Sequence, residues 1–135
     1  MLIPTIHFPG TCKEAITLYQ KALHAEVTGM VYYGDAPAGS NWGEKGNADR
    51  VMHAEMVVAG SRVNACDVKE TVSSNGMCLL ALVFDAADEI SAAYQALKEG
   101  GNIITELSPQ FWSGMYADVE DRFGVRWQLM LKANA

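Results

Sequence analysis

Basic residues are scarce in this sequence of 135 residues. It contains 10 Lys and Arg against 16 Asp and Glu, which gives a formal net charge of -6. Proteins that bind a nucleic-acid backbone or an anionic membrane surface need clustered Lys and Arg, and the sequence has no such cluster. We therefore expect no nucleic acid and no membrane among its partners.

Long hydrophobic runs are also lacking. The longest unbroken one is MCLLALVF, residues 77–84, which suits a buried strand, whereas a spanning helix needs about 20 apolar residues. The first ten residues, MLIPTIHFPG, show no basic region and no cleavage signature, so no signal peptide is predicted. Three cysteines without CxxC spacing are typical of reduced thiols. We expect a cytoplasmic protein.

Nucleotide-binding motifs are missing as well. The sequence contains neither GxxxxGK[ST] nor a GxGxxG after a predicted strand, which are the loops that cradle phosphates. No Ser-His-Asp arrangement has motif support either. The sequence therefore gives no indication of a nucleotide ligand or of a serine-hydrolase triad.

The sequence does have a repeated order of predicted elements. Strands are predicted over residues 2–8, 26–33, 51–58, 61–67, 77–84, 102–107, 114–120 and 124–131, from alternation and apolar runs. Helices follow Thr11, which forms a capping box with Glu14, and Asp85. Residues 34–50 are rich in Gly, Asn and Asp and predict a long loop.

The element order is strand, helix, strand, strand, strand, and it occurs twice. A predicted helical segment separates Phe8 from YQKAL, and a segment of the same kind separates Phe84 from YQAL. We interpret this as an internal duplication. The prediction is an α+β fold in one domain, made of two βαβββ modules at about residues 1–68 and 76–135.

Three sequence blocks, residues 8–19, 53–60 and 111–127, resemble the PhnB-like branch of the glyoxalase/bleomycin-resistance/dioxygenase (vicinal oxygen chelate) superfamily. The resemblance implies a curled mixed sheet with a cleft and a homodimer. It also implies that metal-dependent members place a His, Glu or Gln ligand on the first and last strand of each module. Such a metal acts as a Lewis acid on the substrate. Some members carry a demethylubiquinone methyltransferase label, yet this sequence has no glycine-rich loop for S-adenosylmethionine.

The four metal positions that the resemblance implies are largely empty of ligands here. They fall near Pro4, near Asn64, within residues 77–84, which contain no His, Glu or Gln, and at Gln128. A divalent site needs about three or four protein ligands. We therefore expect no cofactor, while a divalent metal in a modified site stays open.

The strongest catalytic candidates are His53 and Glu55. They are two residues apart in a predicted strand and therefore lie on the same face of it. His53 either contacts substrate, as a base or a hydrogen-bonding group, or is a structural histidine at a strand edge or dimer contact. His7 is interpreted as either packing or ligand-binding. Asp67 either begins a turn or contacts ligand.

Aromatic residues near the last hairpin form a second candidate group. Trp112, Met115 and Tyr116 either belong to the core or line a binding pocket, where flat rings and polar tips suit a ligand. Gln128 is predicted to contact ligand as well. Trp42, in the long loop, is either a lid residue or a packing residue.

Two functions therefore remain open at the level of sequence. The first is a small-molecule-binding protein without the usual metal centre. Its site would contain His7, His53 and Glu55 together with Trp112, Met115, Tyr116 and Gln128. The second is a metal-dependent glyoxalase-type lyase, isomerase or dioxygenase with a modified site built on His53, Glu55 and Gln128.

Overall fold

The computed structural model describes residues 1–41 and 47–132; Trp42, predicted as a lid or packing residue, lies outside them. The described chain forms two compact units, Met1–Val72 and Ser73–Ala135. The elements are β1 (Thr5–Phe8), α1 (Cys12–Leu23), β2 (Glu26–Tyr32), β3 (Val51–Val58), β4 (Ser61–Asp67), β5 (Leu80–Phe84), α2 (Ala87–Lys98), β6 (Asn102–Gln110), β7 (Ser113–Glu120) and β8 (Arg126–Leu131).

The N-terminal unit is a four-stranded sheet with α1 packed against it. The strand order is β1-β4-β3-β2, with β1 parallel to β4 and the other neighbours antiparallel. Alternate residues of β3 and β4 are buried with the apolar face of α1. That core includes Phe8, Ile16, Tyr19, Ala54, Met56, Val63 and Ala65.

The C-terminal unit repeats this plan. Its order is β5-β8-β7-β6, again with one parallel pair, β5 with β8. The core includes Ile90, Ala93, Leu97, Ala117, Val119, Trp127 and Leu129. Two mixed sheets, each with one helix, confirm the predicted α+β fold, and the identical strand order agrees with the duplication inferred from sequence.

The helix starts differ from the prediction. Thr11 is the N-cap residue of α1, but its side chain makes no capping hydrogen bond and its backbone (φ -108°, ψ 16°) is not extended as a capping box requires. At α2 the N-cap is Ala86, also without a side-chain cap, so the prediction for Asp85 is wrong.

Strand ends were predicted with mixed success. β3 and β4 match residues 51–58 and 61–67, because each alternates strictly between buried and partly exposed side chains over most of its length. The apolar run 77–84 forms a strand only from Leu80, and Met77 is largely exposed. No helix formed by the described residues is long and apolar enough to cross a membrane.

Candidate functional site

A cavity of about 530 Å³ opens in the N-terminal unit. It is bounded by β1, β3, β4, the residue that follows β2 and the segment that follows β4. The residues that line it are Thr5, His7, Tyr33, Met52, His53, Ala65, Cys66, Val68, Lys69 and Glu70. The cavity therefore brings together two of the predicted site residues, His7 and His53.

Strand pairing explains why these side chains meet. In the parallel β1–β4 pair, Thr5 lies opposite Asn64 and His7 lies opposite Cys66. Because side chains alternate along a strand, Thr5 and His7 share one face. His7 therefore lies on the same face of β1 as Thr5, which pairs with Asn64.

An irregularity in the β2–β3 pair shapes the cavity. Val31 pairs with His53 while Tyr32 pairs with Val51, so Met52 is left without a partner residue. A residue inserted in this way bends a strand and redirects its side chain. Met52 therefore adds an apolar surface beside the His53 imidazole.

Asp67, at the end of β4, stabilises the backbone beside the cavity through buried hydrogen bonds. Its side chain is buried, with 2% of the residue exposed. One carboxylate oxygen accepts the backbone N–H of Cys12 at 2.9 Å, and the other accepts that of Val51 at 2.9 Å. The Asp67 carbonyl accepts the Tyr33 hydroxyl at 2.8 Å. Asp67 thus caps α1 and anchors β3, so it is a structural residue and not a ligand contact.

Burial changes the chemistry of the thiol in this cavity. Desolvation, and then the negative charges of Asp67 and Glu70, raise the pKa of Cys66 above its ordinary value. The same kind of environment raises the pKa of the Tyr33 hydroxyl. Since the thiolate is the nucleophile, Cys66 is held in its unreactive thiol form at neutral pH.

A polar network crosses the same sheet next to the cavity. Nε2 of His53 lies 3.3 Å from Oε1 of Glu55, and Arg62 pairs with the same Glu55 oxygen. Nε of Arg62 in turn donates to Oδ1 of Asn64 at 3.1 Å. The predicted pair His53 and Glu55 is therefore in contact. Of its two partners from β4, sequence reasoning missed Arg62 and gave Asn64 only as a metal position implied by the resemblance.

The C-terminal unit carries an equivalent arrangement. Asp118 lies opposite Gln128 as Glu55 lies opposite Asn64, and Arg126, two residues before Gln128, pairs with Asp118 at 2.7 Å. Oδ1 of Asp118 is buried and has no hydrogen-bond partner among the described residues. An acid, an arginine and an amide therefore recur at matching positions, a signal that the spacing Arg-x-Asn and Arg-x-Gln could have given.

In the predicted aromatic group of this unit, the rings of Trp112 and Tyr116 are in contact. Trp112 contacts the rings of Phe111 and Tyr116 at centroid distances of 4.7 and 6.0 Å. Phe111 is 95% exposed and Trp112 is 55% exposed, so they are not core residues. Met115 precedes Tyr116 in β7 and, by strand alternation, lies on the opposite face.

The residues present do not fit the metal centre that the family resemblance implies. The implied positions are near Pro4 and near Asn64 in one unit, and within residues 77–84 and at Gln128 in the other. In the strand pairing, Thr5 lies opposite Asn64 and Ala81 lies opposite Gln128. Gln128 is the one residue of this set with a side chain of the expected type. In the described part of the chain, no three His, Cys, Asp or Glu side chains are grouped so as to hold a metal ion.

A protein-family model and a relative from Escherichia coli match most of this chain. The family model described as Glyoxalase/Bleomycin resistance protein/Dioxygenase superfamily matches residues 5–129. Protein YjdN of Escherichia coli strain K12 is 27% identical over 137 residues, covering 95% of this chain and 92% of that protein.

Two solved structures are similar over nearly the whole chain. Protein PA1353 from Pseudomonas aeruginosa has a TM-score of 0.84 and 29% identity, over 99% of this chain and 98% of that one. A Bacillus cereus protein described as a putative 3-demethylubiquinone-9 3-methyltransferase, PhnB protein, has a TM-score of 0.77 and 21% identity, over 96% and 98%. At that identity the second likeness speaks for the fold alone.

Proposed function

The chain belongs to the glyoxalase/bleomycin resistance protein/dioxygenase superfamily, and on that premise we propose that it binds a small molecule without the usual metal centre. The observation that carries this proposal is the cavity of about 530 Å³ in the N-terminal unit. Its volume falls in the range of roughly 300–1,000 Å³ that is usual for ligand pockets.

The lining has the composition of a binding pocket. Met52, Ala65 and Val68 supply apolar surface, while Thr5, His7 and His53 supply a few polar groups. Apolar walls desolvate a ligand and sparse polar groups fix its orientation. Cys66 adds no nucleophile, because the raised pKa of its thiol keeps it protonated at neutral pH.

The remaining predicted site residues extend the proposal to the C-terminal unit. Trp112 and Tyr116 present partly exposed rings, and Gln128 stands opposite Asp118. We propose that these residues contact ligand as well. Met115 is proposed as a ligand contact from the sequence prediction alone.

Finer assignments follow from the family resemblance. We propose that the chain belongs to the PhnB-like branch, acts as a homodimer in the cytoplasm and forms one domain of two modules. Methyl transfer is not proposed, since the sequence lacks a glycine-rich loop for S-adenosylmethionine.

One observation favours a second candidate function, a metal-dependent lyase, isomerase or dioxygenase of glyoxalase type with a modified site. Oδ1 of Asp118 is a buried carboxylate oxygen that lacks a hydrogen-bond partner among the described residues, and it belongs to the residue that faces Gln128. A buried acceptor left unsatisfied is costly, so a donor or a cation at this point would be stabilising.

Elemental analysis of the purified protein separates the two functions. Binding without a metal predicts substoichiometric Zn, Ni, Mn and Fe in the wild type and no change in His53→Ala or Gln128→Ala. A stoichiometric metal that either substitution removes would overturn metal-independent binding and support the second candidate.

A further inference from the structure

We propose that Glu55 and Arg62 hold His53 in the tautomer protonated at Nε2, so that the cavity offers the bare Nδ1 to a ligand that donates a hydrogen bond. This inference deepens the proposed function and rests on it, because it assigns a ligand class to the same cavity.

The direction of the hydrogen bonds follows from the donor inventory. Arginine has only donors, so Oε1 of Glu55 is the acceptor in its contact with Arg62. An ionised carboxylate only accepts, and therefore Nε2 of His53 is the donor at 3.3 Å from that same oxygen. A neutral imidazole carries one ring hydrogen, which leaves Nδ1 of His53 as an acceptor.

The position of this network relative to the cavity indicates which ring edge a ligand meets. His53 lines the cavity, whereas Glu55 and Arg62 are not among the described residues that line it. The Nε2 edge, engaged by Glu55, is thus directed to groups outside the lining. Nδ1 is the ring nitrogen left for a molecule inside.

Arg62 adds two hydrogen bonds to the contact between His53 and Glu55. Glu55 and Asn64 lie opposite each other in the β3–β4 pair, and Arg62 reaches both side chains, donating to Glu55 and to Oδ1 of Asn64. With its guanidinium bound at two points, Arg62 restricts the rotamers of Glu55. Glu55 is therefore a positioning residue that acts on ligand through His53.

The rest of the lining narrows the ligand class. Lys69 and Glu70 are the formally charged lining residues, and their charges cancel. Together with the apolar surface of Met52, Ala65 and Val68, this favours a neutral molecule. The structure thus assigns to the cavity a compact apolar molecule with a hydroxyl or N–H donor.

The tautomer is tested by nitrogen NMR of protein labelled with ¹⁵N-histidine, at a pH where the imidazoles are neutral. The chain has three histidines, and His53→Asn assigns the His53 signals by their loss. We expect a protonated Nε2 and an unprotonated Nδ1 in the wild type. Glu55→Gln, which removes the acceptor-only carboxylate, is expected to shift both resonances toward the averaged values of a tautomer mixture.

Glu26→Gln is the matched control, because Glu26 is an exposed acid on the neighbouring strand β2. It should leave the His53 resonances unchanged. A wild-type His53 protonated at Nδ1, or a tautomer ratio that Glu55→Gln does not move, would overturn the inference.

The ligand class is tested with phenol, which has a hydroxyl donor, and anisole, in which a methyl group replaces the hydroxyl hydrogen and removes the donor. A single hydrogen bond is worth about 1 kcal/mol, so phenol should bind roughly fivefold more tightly and shift the Nδ1 resonance. Equal affinities, or a response to neither probe, would overturn the donor-ligand inference. A broader fragment screen on the same protein still decides the proposed function, so the two failures are distinguishable.

Discussion

At the scale of single residues, the cavity is defined by side chains whose roles depend on contacts across strands. His53 and Glu55 could be selected from sequence because they are two residues apart in a strand and so lie on the same face of it. The roles of Arg62 and Asn64 in the polar network could not be predicted, since they depend on the β3–β4 register that sets Glu55 opposite Asn64. The sequence does not decide between a turn and a ligand contact for Asp67, because its partner Cys12 lies 55 positions away in the chain.

Cys66 gives a prediction at this scale. Its pKa is raised, first by desolvation and then by Asp67 and Glu70, so at neutral pH less of it is thiolate than for an ordinary cysteine. Alkylation by iodoacetamide at pH 7 should therefore be slower at Cys66 than at the exposed Cys78. The rate at Cys66 should rise only as the pH passes above the normal range for thiols.

Peptide mass mapping after timed labelling measures both rates, with Cys66→Ser to identify the signal. Labelling of Cys66 as fast as Cys78 at neutral pH would show that the thiol is not desolvated as described.

At the scale of elements, alternation and apolar runs were sufficient to predict every described strand and both helices. The ends were less accessible to sequence reasoning. Thr11 and Glu14 form a good local capping pattern, yet the N-terminus of α1 is capped from β4 by Asp67. A tertiary hydrogen bond of this kind leaves no local signature.

Asp67 also gives the prediction for this scale, because it joins the start of α1, the start of β3 and the end of β4. In Asp67→Asn one acceptor oxygen becomes an NH₂ group, which faces a backbone N–H that then has no acceptor. An unsatisfied buried donor costs about 1–3 kcal/mol, so the free energy of unfolding should fall by about that amount in urea titrations.

Asp35→Asn is the control for this substitution. Asp35 also accepts a backbone N–H, that of Tyr32 at 3.0 Å, but at an exposed site, and surface changes usually lie within about 0.5 kcal/mol. Equal stability losses in the two variants would show that the buried position of Asp67 is not what matters.

At the scale of the whole molecule, the repeated element order could be predicted from the sequence, and the two sheets share one strand order. The internal duplication inferred from it and from the YQKAL and YQAL segments stays a prediction. The structure adds a repeat of side-chain contacts: Glu55, Arg62 and Asn64 in one unit match Asp118, Arg126 and Gln128 in the other. The cavity could not be predicted, because its lining combines β1, β3, β4 and flanking segments with an irregularity at Met52.

The central claim is that the cavity binds a small molecule without a metal, and a fragment screen by protein NMR in the presence of a chelator tests it most directly. The account predicts that apolar fragments with a hydroxyl or amine shift resonances of His7, His53 and Val68, and that added Zn or Mn leaves the affinity unchanged. His53→Asn should weaken binding, whereas His24→Asn, at an exposed left-handed helix end where Asn is tolerated, should not. Binding that disappears in chelator and returns with a divalent metal would contradict the account.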